Sequence, residues 1–245
     1  MKNRRWNRRF HRWSGLILII PLSIACITGV LLNHSVDLGL KARHVTSPLI
    51  LRPYGMTLKG EPIAYGMDGR TYAASWDGSL FHASRLIDSD STLIGAVPLR
   101  DGFAIVTRQT IHYYGLDGEL IEKLNPPEIP KPFEKAGRSS SLSLVLRSGD
   151  QFFISDPDLL GFTKTTTPPD VQWSEPVTPT LSEKSAWKTA FRGEGLPLDR
   201  VILDIHSGRI LGPVGKWLWD IAAIGVLALS ISGLILFFKN RKRNR

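Results

Sequence analysis

Six histidines lie along the 245 residues, and three of them, His11, His34 and His206, stand where apolar runs meet polar chain. A neutral imidazole is the commonest protein ligand for transition metals, with bonds of about 2 Å. His34 closes the first apolar run, and His206 stands a few residues before the second. Antiparallel packing of the two runs would bring both rings to one depth at the membrane surface, where they could share a metal. Two imidazoles suit the axial positions of a low-spin haem iron, and Arg43 and Arg209 are near enough in sequence to meet haem propionates. A bare-iron version adds Asp37, three residues past His34, and Asp204, two before His206. Two histidines and a carboxylate form a recognised non-haem iron set. Spacing alone favours an interfacial histidine that only caps a helix end, since any two-span protein can place two histidines this way. His11 precedes His34 by 23 residues, about 35 Å of helix or one bilayer thickness. A ligand at each face would suit electron movement across a membrane. Spacing alone favours a basic interfacial residue at His11, which stands about 140° from His34 around an ideal helix. His82 and His112 fall inside hairpin patterns and read as sheet-surface residues, and nothing selects His44.

Two apolar runs must position these groups. Residues 15–33 carry no charge and follow a basic, aromatic segment with Trp6, Phe10 and Trp13. The run is long for a signal peptide, and Asn33-His34-Ser35-Val36-Asp37 offers no small-x-small cleavage site, so it reads as an uncleaved anchor. Residues 221–238 are 18 uncharged positions, just long enough to span. Pro213 suits the first turn of that helix, with 216–220 in the interface. Asp220 lies about one turn inside, and Lys216, four residues earlier, is its expected partner. Pro21 is expected to kink the first span. Thr28-Gly29 in ITGVLL and Ser232-Gly233 in ISGLIL form an internal echo and offer small surfaces for helix packing.

The net charge of +9 belongs to the tails. Six of the 31 Lys and Arg residues lie in 1–13 and five in 239–245, with no acid in either. The remaining 20 face 22 acids, which argues against a nucleic-acid surface. Basic tails beside two spans place both termini in the cytoplasm, near anionic lipid, and the intervening loop outside. The one cysteine, Cys26, lies in the first span, so no disulfide framework is possible.

Between the spans the texture changes. Asp68-Gly69, Asp77-Gly78, Asp101-Gly102, Asp117-Gly118 and Ser148-Gly149-Asp150 punctuate short β-rich runs, as hairpin turns do. Three meander units about 40 residues apart resemble propeller blades, but three are too few to close one, and a small antiparallel sheet or partial barrel is expected. Residues 125–135 and 165–179 read as Pro-rich connectors, and 187–196 as a short helix. Residues 201–205 read as a strand that delivers His206 to the membrane. The expected architecture is a membrane α+β protein: a cytoplasmic basic segment at 1–14, transmembrane helix 1 at 15–34, a β-rich periplasmic domain at 35–212, transmembrane helix 2 at 213–238 and a cytoplasmic basic tail at 239–245.

Phe10-His11-Arg12-Trp13-Ser14-Gly15 and His206-Ser207-Gly208-Arg209-Ile210-Leu211-Gly212 resemble the HRWxG and HxGRxxG signatures of the PepSY-associated transmembrane helix family. The late Thr-Gly and Ser-Gly pairs are similar too. The likeness covers about 35 residues at each end, and the middle shows no marked PepSY domain. Several four-span members are inner-membrane ferric-siderophore reductases that carry haem on span histidines. With two spans and a large loop, the chain resembles the smaller VciB-type branch, which promotes ferrous iron uptake by reducing iron outside the inner membrane. The resemblance implies His34 and His206 as the functional pair, with His11 at a motif position. It also implies a homodimer whose four helices hold haem b or bare iron. Ferric iron or an iron chelate would be the electron acceptor, and a ferrous iron transporter a possible partner. No dinucleotide or Walker fingerprint is present, so the donor would be a quinol or a separate reductase. The rival expectations are a non-redox scaffold or sensor and an accessory subunit of an iron transporter, with structural histidines.

Overall fold

A computed structural model describes residues 2–67, 70–89, 91–166 and 170–241; the side chains of residues 2–8, 10, 236 and 239–241 are not described. The Asp68-Gly69 turn, the aromatic rings of Trp6 and Phe10 and most of the basic tail therefore lie outside the described residues. The chain forms two compact units, Met1–Met56 with Glu194–Arg245, and Thr57–Gly193.

The first unit is helical. Helix α1 (Lys2–Asn33) is followed by a single turn, α2 (Pro48–Leu51). Of its remaining helices, α4 (Leu198–His206) precedes α5 (Gly212–Arg241); the twelve-residue α3 (Leu181–Arg192) belongs to the second unit. Residues 11–33 and 209–235 are both long and apolar enough to cross a membrane. α1 packs along α5 and also against α4. The least exposed positions of α1 recur as His11, Ser14, Leu18, Pro21, Ala25 and Thr28, which is helical spacing, while Ile17, Ile20 and Ile27 point away, more than 60% exposed. Gly225 of α5 makes room for the Leu18 side chain, whose tip fills the space a β-carbon there would take. A two-stranded ladder, His44–Val45 with Leu196–Pro197, continues into a hydrogen bond from Leu198 N–H to the Arg43 carbonyl and seats the start of α4.

Residues 201–205 are helical, which corrects the strand expected there. A short run such as Val-Ile-Leu-Asp-Ile has no decisive period. Asp199 in the first turn and the Arg200–Asp204 pair, four residues apart, favour the helix, and its Val201–Ile202 edge is buried.

The second unit is three antiparallel meanders in succession. The first joins the strands Ile63–Met67, Arg70–Trp76, Ser79–His82 and Arg85–Asp88. The second joins Leu93–Pro98, Gly102–Thr107, Ile111–Gly115 and Leu120–Leu124. The third joins Lys135–Ser139, Leu144–Ser148, Gln151–Ser155 and Phe162–Thr165. Asp77 and Gly78 both have positive φ, as do Gly118 and Gly149, so these predicted turns are present. The leading strand of the middle sheet packs against the leading strands of the other two, and the outer strands are largely exposed, so the units are arranged as blades. A strap completes the unit. Val171–Trp173 adds to the third sheet and Glu175–Val177 to the first. Between them, the Ser174 hydroxyl accepts from Ala96 N–H and donates to the Ala96 carbonyl, both at 2.9 Å, so the strap touches all three sheets. A Thr180–Glu183 capping box starts α3, whose Trp187 stacks on Phe81 and donates to the Ala83 carbonyl.

His112 is not a surface residue of its sheet, and His82 is half-buried. His82 packs between Phe103 and Tyr114, with ring centroids 4.8 and 4.9 Å away. His112 is 2% exposed. Burial, reinforced by the Lys123 charge, pushes its pKa below the usual imidazole value against the opposing pull of Asp88. A depressed imidazole pKa stabilises the fold above the unfolded value, and this contribution is lost as pH falls through the folded one. We expect His112→Gln to flatten the acid limb of a thermal-stability profile measured between pH 7 and 4.

Candidate functional site: two histidines clasped across the helix pair

Helix α1 is held by two matching contacts, one received from α4 and one made to α5. His206, the last residue of α4, places Nδ1 2.8 Å from Thr28 Oγ1 of α1. Its Cε1 also lies 3.5 Å from where a side chain on Gly29 would begin. At the other end, His11 of α1 places Nδ1 2.8 Å from Ser232 Oγ of α5, and its Cε1 lies 3.6 Å from the same point on Gly233. The Thr-Gly and Ser-Gly pairs are therefore seats for imidazole rings: a hydroxyl for one nitrogen and a bare backbone under the ring edge.

Thr28 Oγ1 lies 2.6 Å from the Ile24 carbonyl and Ser232 Oγ 2.9 Å from the Leu229 carbonyl, so each hydroxyl has a backbone acceptor for its proton. With the protons so placed, each oxygen accepts and each ring donates from Nδ1–H. A neutral imidazole protonated at Nδ1 keeps its lone pair on Nε2. Neither Nε2 has a hydrogen-bond partner among the described residues. Both rings are half-buried. A histidine oriented through Nδ1–H with a free Nε2 is what a metal ligand requires, so the donor chemistry fits a haem or another iron centre.

The Thr28 seat lies five residues inside the Asn33 end of α1, about 7.5 Å along its axis. His206 therefore meets α1 one to two turns in from His34 rather than level with it. Its depth follows from α4, which runs along α1 where a strand was expected. His34 is exposed and hydrogen-bonds to Asp37 at 3.4 Å. It shares no partner with His206. Among the described residues no three His, Cys, Asp or Glu groups gather as a metal site, so the set of His34, His206, Asp37 and Asp204 is not assembled within one chain.

Asp204 has a different task. It is 3% exposed and faces cations. Its Oδ2 accepts from the Tyr54 hydroxyl at 2.9 Å and lies 3.1 Å from Arg200 Nε. Its Oδ1 lies 3.0 Å from Arg209 Nε, but that N–H is aimed at Ser207 Oγ, so this oxygen receives charge without an aligned hydrogen bond. Asp204 is therefore an anchor and not a free metal ligand, and Arg209 is engaged with it. Arg43 is exposed. Lys216 and Asp220 are both exposed, and no ion pair joins them among the described residues.

The anchor explains the spacing of His206-Ser207-Gly208-Arg209. α4 must stop after His206 and α5 must begin six residues later. Gly208 makes the reversal with φ +71°, and Arg209 then returns to Asp204. Burial first, and then the hydrogen bond to Asp204, push the Tyr54 hydroxyl up to about 12. A raised pKa contributes stability that is complete below pH 10 and disappears as pH rises through about 12. Tyr54→Phe should remove this alkaline limb from a pH series of melting curves. Asp204→Ala, which removes the acceptor of the Tyr54 hydroxyl and the countercharge of Arg200 and Arg209, should cost about 2 kcal/mol by chemical denaturation.

Neither curated proteins nor solved structures yield a match to the chain. A family match, in contrast, extends over both clasped histidines and everything between them. Its description is PepSY-associated TM region and it covers residues 1–241, so the chain belongs to that family of membrane proteins.

Proposed function

We propose that the protein is an inner-membrane component of iron reduction, passing electrons to ferric iron or a ferric chelate on the periplasmic side in support of ferrous iron uptake. The observation that supports this reading is the pair of Nδ1-oriented imidazoles, one toward each end of the helix pair, with both Nε2 lone pairs uncommitted. Thr28 and His11 are 17 residues apart, about 25 Å along the helix. The two positions therefore suit electron passage across much of a bilayer.

One chain supplies one such ring at each level. A bis-imidazole set then requires a second copy, and the reading includes a homodimer with four helices. His206 would serve the level nearer the loop between the spans, His11 the other, and the exposed His34–Asp37 pair would lie outside both. Haem b would supply reversible one-electron chemistry when bound. The chain's own contribution is to orient each ring through Thr28 or Ser232. A quinol or a partner reductase would be the donor.

The test is a reduced-minus-oxidised visible spectrum of the purified protein, together with a ferric reduction assay in vesicles. A b-type spectrum that requires His206 and His11 supports the haem form. A colourless protein that still reduces ferric iron supports bare iron. A protein with neither property is a scaffold or accessory subunit, and the redox reading fails.

A further inference from the structure

The β-rich unit contains a cleft unrelated to the histidine clasps. It has a volume of about 550 Å³ and opens between the first and middle sheets. That is within the usual range for small-molecule sites. Its lining includes Arg70, Tyr72, His82, Arg85, Phe103 and Glu119.

The floor is aromatic. Tyr72 and Phe103 lie 5.2 Å apart by ring centroids, and the His82 ring stands 4.8 Å from Phe103. His82 is locked in place. Its Nδ1 lies 2.6 Å from the Tyr72 carbonyl, which can only accept, so the ring donates there and its Nε2 is directed to the turn at Gly118. The rim is cationic. The Arg70 guanidinium lies 5.8 Å over the Tyr72 ring, and no carboxylate pairs with it among the described residues. Arg85 crosses from the first sheet to Glu119 of the middle one at 3.4 Å, with both side chains at least 70% exposed. Such an exposed pair is weak and readily exchanged for another anion. Asp117 is occupied within its own turn, accepting from Glu119 N–H at 3.0 Å.

We propose that this cleft binds a small organic anion that carries a flat conjugated ring. The ring would lie on Tyr72 and His82, which the buried Phe103 backs, and the anionic group would take Arg70 and displace Glu119 from Arg85. A bidentate carboxylate suits a guanidinium fork, and a ring beside aromatic faces gains further attraction. A cationic ligand would meet two arginines, and an aliphatic one would forgo the ring contacts. The assignment is independent of the redox reading, since every residue belongs to the β-rich unit.

Isothermal titration of the full chain in detergent with 1-naphthoate tests it, with cyclohexanecarboxylate and 1-naphthylmethylamine as comparisons. Saturable 1:1 binding of naphthoate is expected. Arg70→Gln and Arg85→Gln should each weaken it about tenfold, cyclohexanecarboxylate should bind more weakly, and the amine should not bind. Both substitutions are at exposed positions and leave the core intact. No saturable binding, binding unchanged in the double variant, or equal binding of the amine would overturn the proposal.

Discussion

If the proposed redox reading holds, replacing His206 with alanine should abolish retention of a haem on the side of the loop between the spans, and His11→Ala of one at the other level. The loss should be complete for each level, because one chain supplies one imidazole there. The finer test concerns the hydroxyls. Thr28→Val preserves the shape and removes the acceptor for His206 Nδ1–H. Ser232→Ala does the same for His11. Loss of such an orienting partner typically lowers metal affinity by about 10–100-fold. Thr28→Val should therefore bind weakly where His206→Ala does not bind at all, and the pyridine haemochrome content of purified protein would measure both. If all four variants keep full haem content, the redox assignment is lost, whatever the activity of the wild type.

The second large effect is structural and does not depend on any ligand. Gly215→Ala should cost about 3 kcal/mol or more, because a β-carbon there would fall on the Gly208 carbonyl oxygen and also crowd Leu211. Two backbone segments touch at this point and neither can yield cheaply. Gly208 has the reciprocal problem: a β-carbon would meet the Gly215 carbonyl at 2.5 Å and the Trp219 ring at 3.2 Å, with φ at +71°. Gly15→Ala is the control. Nothing lies within 4 Å of that position, and alanine favours a helix, so stability should be unchanged or slightly higher. Thermal unfolding followed by far-UV circular dichroism would separate the three.

Much of the architecture was legible because its signals are local. Two uncharged runs give two long helices, Asp-Gly pairs give hairpin turns, and an approximate 40-residue period gives three meanders. What escaped was everything that depends on a partner far along the chain. The strap's two strands join the third and first sheets, and only Ser174, flanked by short β-rich triplets, hints at it. The helix at 198–206 carries a β-branched run whose period is too short to decide, and packing on α1 decides it. The site was half legible. Three histidines at the span borders were marked by position, and two of them are the clasped ones. The pairing of His206 with Thr28 rather than His34 was not legible, since it depends on α4 entering the helix pair. The signal that could have found it was the echo of Thr-Gly and Ser-Gly: two small-residue pairs and two motif histidines, one of each at either end, leave a crossed pairing as the symmetric solution.

The crossed pairing also makes the helix pair a ruler. α1 offers a ring to α5 at one end and receives the ring of α4, on the approach to α5, at the other. Sliding one helix along its neighbour by a single turn would unseat both rings together. The distance between them is therefore set by protein contacts and not by the lipid around them. In a thinner or thicker bilayer the pair would have to tilt as one body, and the span between its two imidazoles would stay the same.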